Sequence, residues 1–376
     1  MRKIRILHHW IPEYRVALYE GLGRKYPGEV EILASKEGVE VPYAIKGVKV
    51  DYDHPFQYLG PVNWQSGMSL RGLKPGRDIV VINGDIRELS SVWSALKAKM
   101  AGIKVLWWAQ HRGSSSTNLS TAVRLFVSKL LSDVFICYTR TGLEYLVEKG
   151  FSRSRVFATG NTIDQRPIRE AIDYWTTERL ADFQGRVGIV GKKLFLCCGY
   201  MRTKVRLDLF IRAMSSDALK DVVLAVIGDG EMKNSYIELA RALGVDSRII
   251  WRPATHDQNE MAPWFLSAKA FVYPGAIGLS ILHSLSYGLP VITHGNEEHQ
   301  MPEFEVMEDG KTGCIFPEGD VEGLVNACVK ILADKERLSE MSKYSQKVAF
   351  GKYSMSQMVE NFSEAIEETF SLYEKK

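Results

Sequence analysis

The stretch Tyr273-Pro-Gly-Ala-Ile-Gly278-Leu-Ser-Ile-Leu-His283-Ser-Leu-Ser-Tyr-Gly288-Leu-Pro-Val-Ile-Thr293 decides the fold. An apolar strand over 270–273 ends at Pro274-Gly275, a glycine-rich turn follows, and a helix runs from Leu279 to Tyr287 before a second strand over 290–293. Strand, helix and strand in so few residues require a parallel pair with a helical crossover. Backbone N–H groups at the helix start, with the positive end of its dipole, form a seat for a phosphate or diphosphate. Ser280 and His283 are three apart and share one helix face, with Ser284 one further along, a face suited to the hydroxyl groups of a ligand. An ordinary strand–turn–helix reads the same way, so the neighbouring sequence has to decide between them.

Short apolar runs alternate with amphipathic stretches on both sides of this segment, the pattern of doubly wound parallel sheets. The first half predicts strands over 4–8, 30–34, 78–83, 105–109, 134–138 and 155–158, with helices near 14–25, 88–101, 122–131 and 142–149. Residues 39–73 break the alternation and suit β-hairpins or a loop. A second series begins at the strand 194–198 after the glycine-rich stretch Gly185–Lys193, read as a linker. The fold class is α/β, with two Rossmann-like doubly wound domains facing a central cleft. Domains are expected over 1–188 and 189–352, with residues 353–376 forming a helix that packs back on the first domain. Such sheets bind ligands beyond the carboxyl ends of their strands.

Composition narrows the class. At 376 residues, 45% hydrophobic and 25% charged, the chain is too long for one core and too apolar for disorder. No apolar run reaches the roughly 18–20 residues of a membrane span, and the start of the chain lacks a signal peptide's pattern, so a cytoplasmic location is expected. Five cysteines without a Cys-x-x-Cys spacing read as buried thiols. Residues 1–190 carry 27 Lys/Arg against 19 Asp/Glu, or +8, leaving 21 against 26, or −5, for the rest; the first half favours an anionic partner. The first strand runs into His8-His9-Trp10-Ile11-Pro12 without a Gly-x-Gly-x-x-Gly turn, which disfavours a nicotinamide or flavin enzyme. Neither a Walker loop nor a Gly-x-Ser-x-Gly elbow is present.

The chain resembles the retaining glycosyltransferases of the GT-B fold, the family 4 type that includes many bacterial polysaccharide and lipopolysaccharide enzymes. The likeness rests on the segment above and on Cys198-Gly-Tyr-Met-Arg202-Thr-Lys204-Val-Arg206-Leu-Asp208, Val226-Ile-Gly228-Asp-Gly230, Met301-Pro302-Glu303-Phe-Glu305, Gly313-Cys-Ile-Phe and Gly319-Asp320. Tyr14-Arg15 and Gly160-Asn161-Thr-Ile-Asp164 also fit. The family usually has two glutamates eight residues apart where this chain has Gly275 and His283, a Gly/His variant of the motif. His283 keeps hydrogen-bonding capacity for a ribose, whereas Gly275 has no side chain to offer the sugar.

The resemblance implies transfer of a hexose or deoxyhexose from a nucleoside diphosphate sugar to a saccharide or lipid-linked acceptor in surface polysaccharide biosynthesis. It implies no cofactor, no bound metal and no nucleic acid partner. Basic side chains stabilise the leaving diphosphate; the candidates are Arg202, Lys204 and Arg206, and the alignment leaves open whether Lys204 or Arg206 takes the place of the family's lysine. His111, directly after the strand ending in Trp107-Trp108, corresponds to a histidine that positions the donor sugar, the leaving phosphate itself helping to take the acceptor proton. Gly278, Leu279, Ser280, His283, Glu303 and Glu305 are donor-binding candidates, and Tyr14 and Arg15 acceptor-binding ones. The polar group His294, Asn296, Glu298 and His299 superficially resembles a metal site, but its loose spacing speaks against one. Residues 71–140 hold 11 basic against 4 acidic residues, which suits peripheral contact with lipid headgroups. The rival reading is a non-catalytic GT-B-like protein that binds a nucleotide or glycan in an assembly.

Overall fold

A computed structural model describes residues 1–37, 43–110 and 118–375. The chain divides into two compact units, Met1–Ile163 with Met355–Lys376, and Asp164–Ser354.

The first unit holds strands β1 (Ile4–Trp10), β2 (Val30–Ser35), β3 (Lys49–Asp51), β4 (Phe56–Leu59), β5 (Val62–Gln65), β6 (Ile79–Asn83), β7 (Lys104–Trp108), β8 (Val134–Cys137) and β9 (Val156–Ala158). Its helices are α1 (Glu13–Lys25), α2 (Leu89–Met100), α3 (Asn118–Leu131) and α4 (Arg140–Glu148). Seven strands form a parallel sheet in the order β3-β2-β1-β6-β7-β8-β9, while β4 and β5 pair as an antiparallel hairpin. The central strands are apolar without alternation, as in the Ile79-Val-Val-Ile run of β6, because helices cover both faces. The strand order reverses beside β1, whose neighbours are β2 and β6, so the loops after β1 and β6 diverge and leave a crevice there. Of the segment 39–73, residues 39–42 lie outside the described residues, and 43–73 supply the edge strand β3 and the hairpin.

The second unit comprises α5 (Arg166–Tyr174), α6 (Thr177–Val187), β10 (Lys193–Cys198), α7 (Leu207–Ala213), β11 (Val222–Ile227), α8 (Lys233–Ala242), β12 (Ile249–Arg252), α9 (Gln258–Ser267), β13 (Ala270–Val272), α10 (Ser280–Ser286), β14 (Val291–His294), β15 (Gly313–Phe316), α11 (Val321–Ala333) and α12 (Lys335–Phe350). Six parallel strands run β12-β11-β10-β13-β14-β15, and the reversal lies between β10 and β13. The loops after these two strands hold the 199–206 and 274–279 segments singled out in the sequence.

The last helix, α13 (Met355–Ser371), belongs to the first unit. Met358, Val359, Phe362, Ala365, Ile366 and Phe370 recur at helical spacing and enter the core formed with α1 and the sheet. Phe362 meets Trp108 edge-on at 5.1 Å between ring centroids. Tyr373 fastens the end of the chain: its hydroxyl donates to the Asp78 carbonyl and accepts from the Lys104 N–H, both at 2.7 Å.

The division differs from the expected boundary at residue 188. The first unit stops at Ile163, and α5 and α6 pack on α9 in the second. The stretch Gly185–Lys193 is a tight connection: Gly188 caps α6 at φ 72° and Gly191 adopts φ 71°, so these glycines supply left-handed backbone. Four cysteines are buried and Cys198 is half-buried, all as free thiols.

Candidate functional site

In the second unit the loops after β10 and β13 lie backbone to backbone. The N–H groups of Gly275 and Ala276 donate to the carbonyls of Val205 and Lys204, each at 3.0 Å. A Cβ on Gly275 would stand 1.9 Å from the Lys204 carbonyl oxygen, so only glycine permits this approach. Gly228, at φ 149°, does the same for the loop after β11, where a Cβ would meet the Gly199 carbonyl oxygen at 2.1 Å. Gln300 latches the Gly275 turn to the end of β14. Its Oε1 accepts from the Ile277 N–H at 2.8 Å, and its Nε2 donates to the His294 carbonyl at 2.9 Å and to Thr293 Oγ1 at 3.1 Å.

The 202–206 turn presents its three cations differently. Arg202 and Lys204 are exposed and enter no ion pair among the described residues; the Arg202 guanidinium lies 5.0 Å from the centre of the Tyr200 ring. Arg206 is held by Asp208 through Nε to Oδ1 at 3.1 Å and Nη2 to Oδ2 at 3.3 Å. It is also the one residue other than glycine at positive φ (52°) among the described residues.

His283 and Ser280 do occur on one short helix, yet His283 turns into an aromatic cluster. Its ring centroid is 4.7 Å from Phe265, and its Nε2 lies 2.9 Å from Gln258 Oε1, an oxygen that also accepts from the Tyr287 hydroxyl at 2.8 Å. With Gln258 Oε1 as an acceptor, His283 carries its proton on Nε2 and leaves Nδ1 as an acceptor. Burial lowers its pKa to about 4, so the ring is neutral at pH 7. Ser284 does not face a ligand: it is fully buried and donates to the Leu289 carbonyl at 2.7 Å. Glu303 is buried in the turn after Pro302, with its Oε2 3.8 Å from where a Cβ on Gly278 would stand. Gly278, Leu279, Ser280 and Glu305 are partly exposed around it.

Asn296 Nδ2 donates to Glu318 Oε2 at 2.7 Å, and His299 Nδ1 lies 2.8 Å from the same oxygen. No group of three or more His, Cys, Asp or Glu among the described residues is arranged to hold a metal ion.

In the first unit a pocket of about 360 Å³ opens where the strand order reverses. Its floor is polar: Asn83 Nδ2 lies 2.8 Å from His9 Nδ1 and 3.2 Å from Glu88 Oε2, whose other oxygen accepts from Ser91 at 2.8 Å. Trp10, Phe56 and Tyr58 line it with aromatic surface. Burial raises the Glu88 carboxyl to about 7 and lowers His9 to about 4, so at neutrality Glu88 is only partly ionised and the His9 ring is neutral. Despite its burial, the Asp85 carboxyl, which lines the same pocket, is held low by its hydrogen bonds to Arg87 and is ionised. The hairpin is tied to β1 through Gln65, whose Nε2 donates to the His8 carbonyl at 3.2 Å.

Arg15 is 4% exposed, with its guanidinium about 5 Å from the rings of Tyr14, Trp108 and Tyr138. Its one hydrogen-bond partner is Met358 Sδ at 3.6 Å, and no carboxylate pairs with it among the described residues. Tyr14 is partly exposed beside it. His111 lies outside the described residues. Sequence reasoning missed Gln300, Asn83 and Glu88. Gln300 has no motif signal. Asn83 and Glu88 stand at a strand end and a helix start, positions legible in the sequence but assigned there only to secondary structure.

The fold is of the GT-B type: two Rossmann-like units, each with a parallel sheet and flanking helices. A glycosyltransferase from Rickettsia africae superposes with TM-score 0.73 over 100% of this chain and 99% of that one, at 13% identity. Anabaena HepE, solved in complex with UDP-glucose, superposes with TM-score 0.66 over 98% of this chain and all of that one, at 11% identity. Residues 192–334, within the second unit, match the family described as Glycosyl transferases group 1. The chain is 29% identical over 139 residues to the lipopolysaccharide core biosynthesis glycosyltransferase LpsE of Rhizobium meliloti, covering 36% of this chain and 39% of that protein. The curated relatives it matches are covered over 28–44% of their own lengths.

Proposed function

We propose that the protein is a retaining, metal-independent glycosyltransferase that moves a hexose or deoxyhexose from a nucleoside diphosphate sugar to a saccharide or lipid-linked glycan in lipopolysaccharide or other surface polysaccharide synthesis. The observation that carries the reading is the apposition of the 202–206 and 275–278 turns at the reversal of the second sheet. It lies inside the matched residues 192–334 and presents Arg202 and Lys204 to solvent without an ion pair among the described residues. A diphosphate seated there receives charge from both side chains as negative charge accumulates on the leaving group. Because Asp208 already engages Arg206, Lys204 is the better candidate for the family's lysine. Ser280, His283 and Glu303 are assigned to the nucleotide and sugar hydroxyls, with Glu305, Gly278 and Leu279 shaping the same rim. His111 is assigned to donor sugar positioning.

The acceptor is assigned to the first unit. A floor of Asn83, Glu88 and His9, with the Asp85 carboxylate beside it and aromatic walls, suits a polyhydroxylated sugar, whose hydroxyls need hydrogen bonds and whose C–H faces stack on rings. Arg15, a buried cation without a carboxylate, suits a phosphate or other anion on that acceptor, with Tyr14 at its edge. Peripheral membrane contact through this unit follows from a lipid-linked acceptor. HepE is solved with UDP and with UDP-glucose, which makes uridine nucleotides the first to try.

The test is product analysis with a panel of nucleotide sugars, with and without lipid-linked saccharide acceptors. Acceptor-dependent release of nucleoside diphosphate, with the anomeric configuration of the donor kept in the product, is the expected result. Nucleotide binding without turnover under any acceptor would instead favour the non-catalytic reading.

A further inference from the structure

Sixteen large hydrophobic side chains are exposed among the described residues, and seven of them lie on α2 and α3. On α2, Leu89, Trp93, Leu96 and Met100 follow one another at intervals of four, three and four residues; on α3, Val123, Phe126 and Leu130 do so at three and four. Each set is therefore a single stripe along its helix. The two helices contact each other, so the stripes stand on neighbouring helices of the same unit. Exposure is 39–60% at five of the seven and reaches 80% at Met100 and 70% at Phe126; their grouping on two neighbouring helices, not the exposure of any one, sets them apart from apolar residues scattered singly over a surface.

The inward faces of both helices are already satisfied. Ser90, Ser91, Ser94, Ala95 and Ala98 pack α2 against the sheet, while Leu125, Val127 and Leu131 join the core from α3. The apolar stripes are thus surplus to the fold of this unit.

The charge around them has one sign. Between Glu88 and Asp133 the sequence carries six Lys or Arg and no Asp or Glu. Lys99 and Lys104 share Asp133 at 3.4 and 3.3 Å, whereas Lys97 and Lys129 enter no ion pair among the described residues. The Lys97 ammonium instead lies 4.9 Å from the centre of the Trp93 ring. Neither helix is long and apolar enough to cross a membrane.

We infer that the α2–α3 face docks on an anionic lipid bilayer, with Trp93, Met100, Phe126 and Leu130 entering the headgroup and upper acyl region while Lys97 and Lys129 meet lipid phosphates. Apolar stripes rimmed by cations are what an interfacial surface requires: buried apolar area and headgroup attraction add, and lysine stems reach along the apolar surface to place their ammonium groups in water. A second copy of the chain is disfavoured as the occupant. A two-fold contact through this face would oppose the same lysines on helices that contain no acidic residue to pair with them. The assignment rests on the peripheral part of the proposed function and gives it a location.

The experiment is co-sedimentation of the full chain with vesicles of equimolar phosphatidylcholine and phosphatidylglycerol, and with phosphatidylcholine alone, alongside thermal shift by nucleotides. The chain should bind the anionic vesicles, bind the neutral ones at least about tenfold more weakly, and release as salt rises from about 0.05 to 0.5 M. The Trp93→Glu/Phe126→Glu double variant should lose binding. Lys97→Ala/Lys129→Ala, which keeps the apolar stripe, should release at lower salt, and Val329→Glu on the second unit should bind like the parent. Retained nucleotide shifts in the variants establish that they are folded, and separate failure of docking from failure of the transferase reading. Absence of binding by the parent chain overturns the inference, as does full binding by Trp93→Glu/Phe126→Glu. A dimer in light scattering that this variant splits, without vesicle binding, assigns the face to a second copy and also overturns it.

Discussion

At position 275 the missing side chain does structural work that a motif comparison reads only as a loss. The resemblance pairs this glycine with a glutamate that lies near the donor sugar, but here the Lys204 carbonyl occupies the space a Cβ would need. Gly275→Ala should therefore cost about 1–3 kcal/mol, and Gly275→Glu should not restore a sugar contact but displace the 202–206 turn. Chemical denaturation measures the first, and weaker nucleotide binding by Gly275→Glu the second. Glu88 offers a test in pH. Its folded pKa of about 7 lies above the ordinary carboxyl range, so between roughly 4.5 and 7 the native state holds more protons than the unfolded one. Stability contributed here falls as pH rises through that window. Glu88→Gln, which cannot ionise, should gain on the parent by on the order of 1–3 kcal/mol between pH 5 and 8, read from urea midpoints. His283 works in the opposite direction: with its pKa lowered to about 4, the unfolded state binds the proton first, so stability is lost as pH falls from about 6.5 toward 4.

Among the elements, those with continuous apolar runs were legible in the sequence. Six of the seven strands of the first sheet, all but the edge strand β3, and the helices between them fall within a few residues of their expected positions, because a strand buried on both faces has to be apolar throughout. The helices α5 and α6 were not legible as part of the second unit. Nothing in Arg166–Val187 says which sheet its apolar side chains will meet, and glycines 185, 188 and 191 look the same in a linker as in a capped turn. The site was legible where it depends on backbone, at the Gly275–Gly278 turn. It was not where it depends on which side chain turns inward, as with His283 against Phe265 and Arg206 against Asp208. The helix α13 illustrates the first kind. Phe362 is fully buried against Trp108, and Phe362→Ala should cost the first unit about 3–5 kcal/mol in its unfolding transition, leaving the second unit's transition where it was.

For the whole molecule, the two units differ in how the chain completes them. The second is continuous, whereas the first takes its last helix from the end of the chain after the second has been made. Removing residues 355–376 should leave the first unit without the α13 side chains of its core and without the Tyr373 tie to Asp78 and Lys104. Loss of amide protection across β1, β6 and β7 with retained protection in β10 and β11 is the expected exchange pattern. Counted over the two units, Lys/Arg against Asp/Glu is 25 to 19 in the first and 23 to 26 in the second; the excess on the first suits an anionic acceptor, whereas on the second the anionic diphosphate has to be met locally, by Arg202 and Lys204.

The central claim is that the apposed 202–206 and 275–278 turns hold a nucleoside diphosphate. Thermal stabilisation by UDP, GDP, ADP and dTDP and their sugar conjugates tests it most directly, because a ligand of the folded state must raise the melting temperature. The account predicts a shift selective for one base, abolished in Arg202→Ala and in Lys204→Ala and retained in Arg206→Ala. A shift that survives the loss of both Arg202 and Lys204, or no shift with any nucleotide in a folded sample, would contradict it.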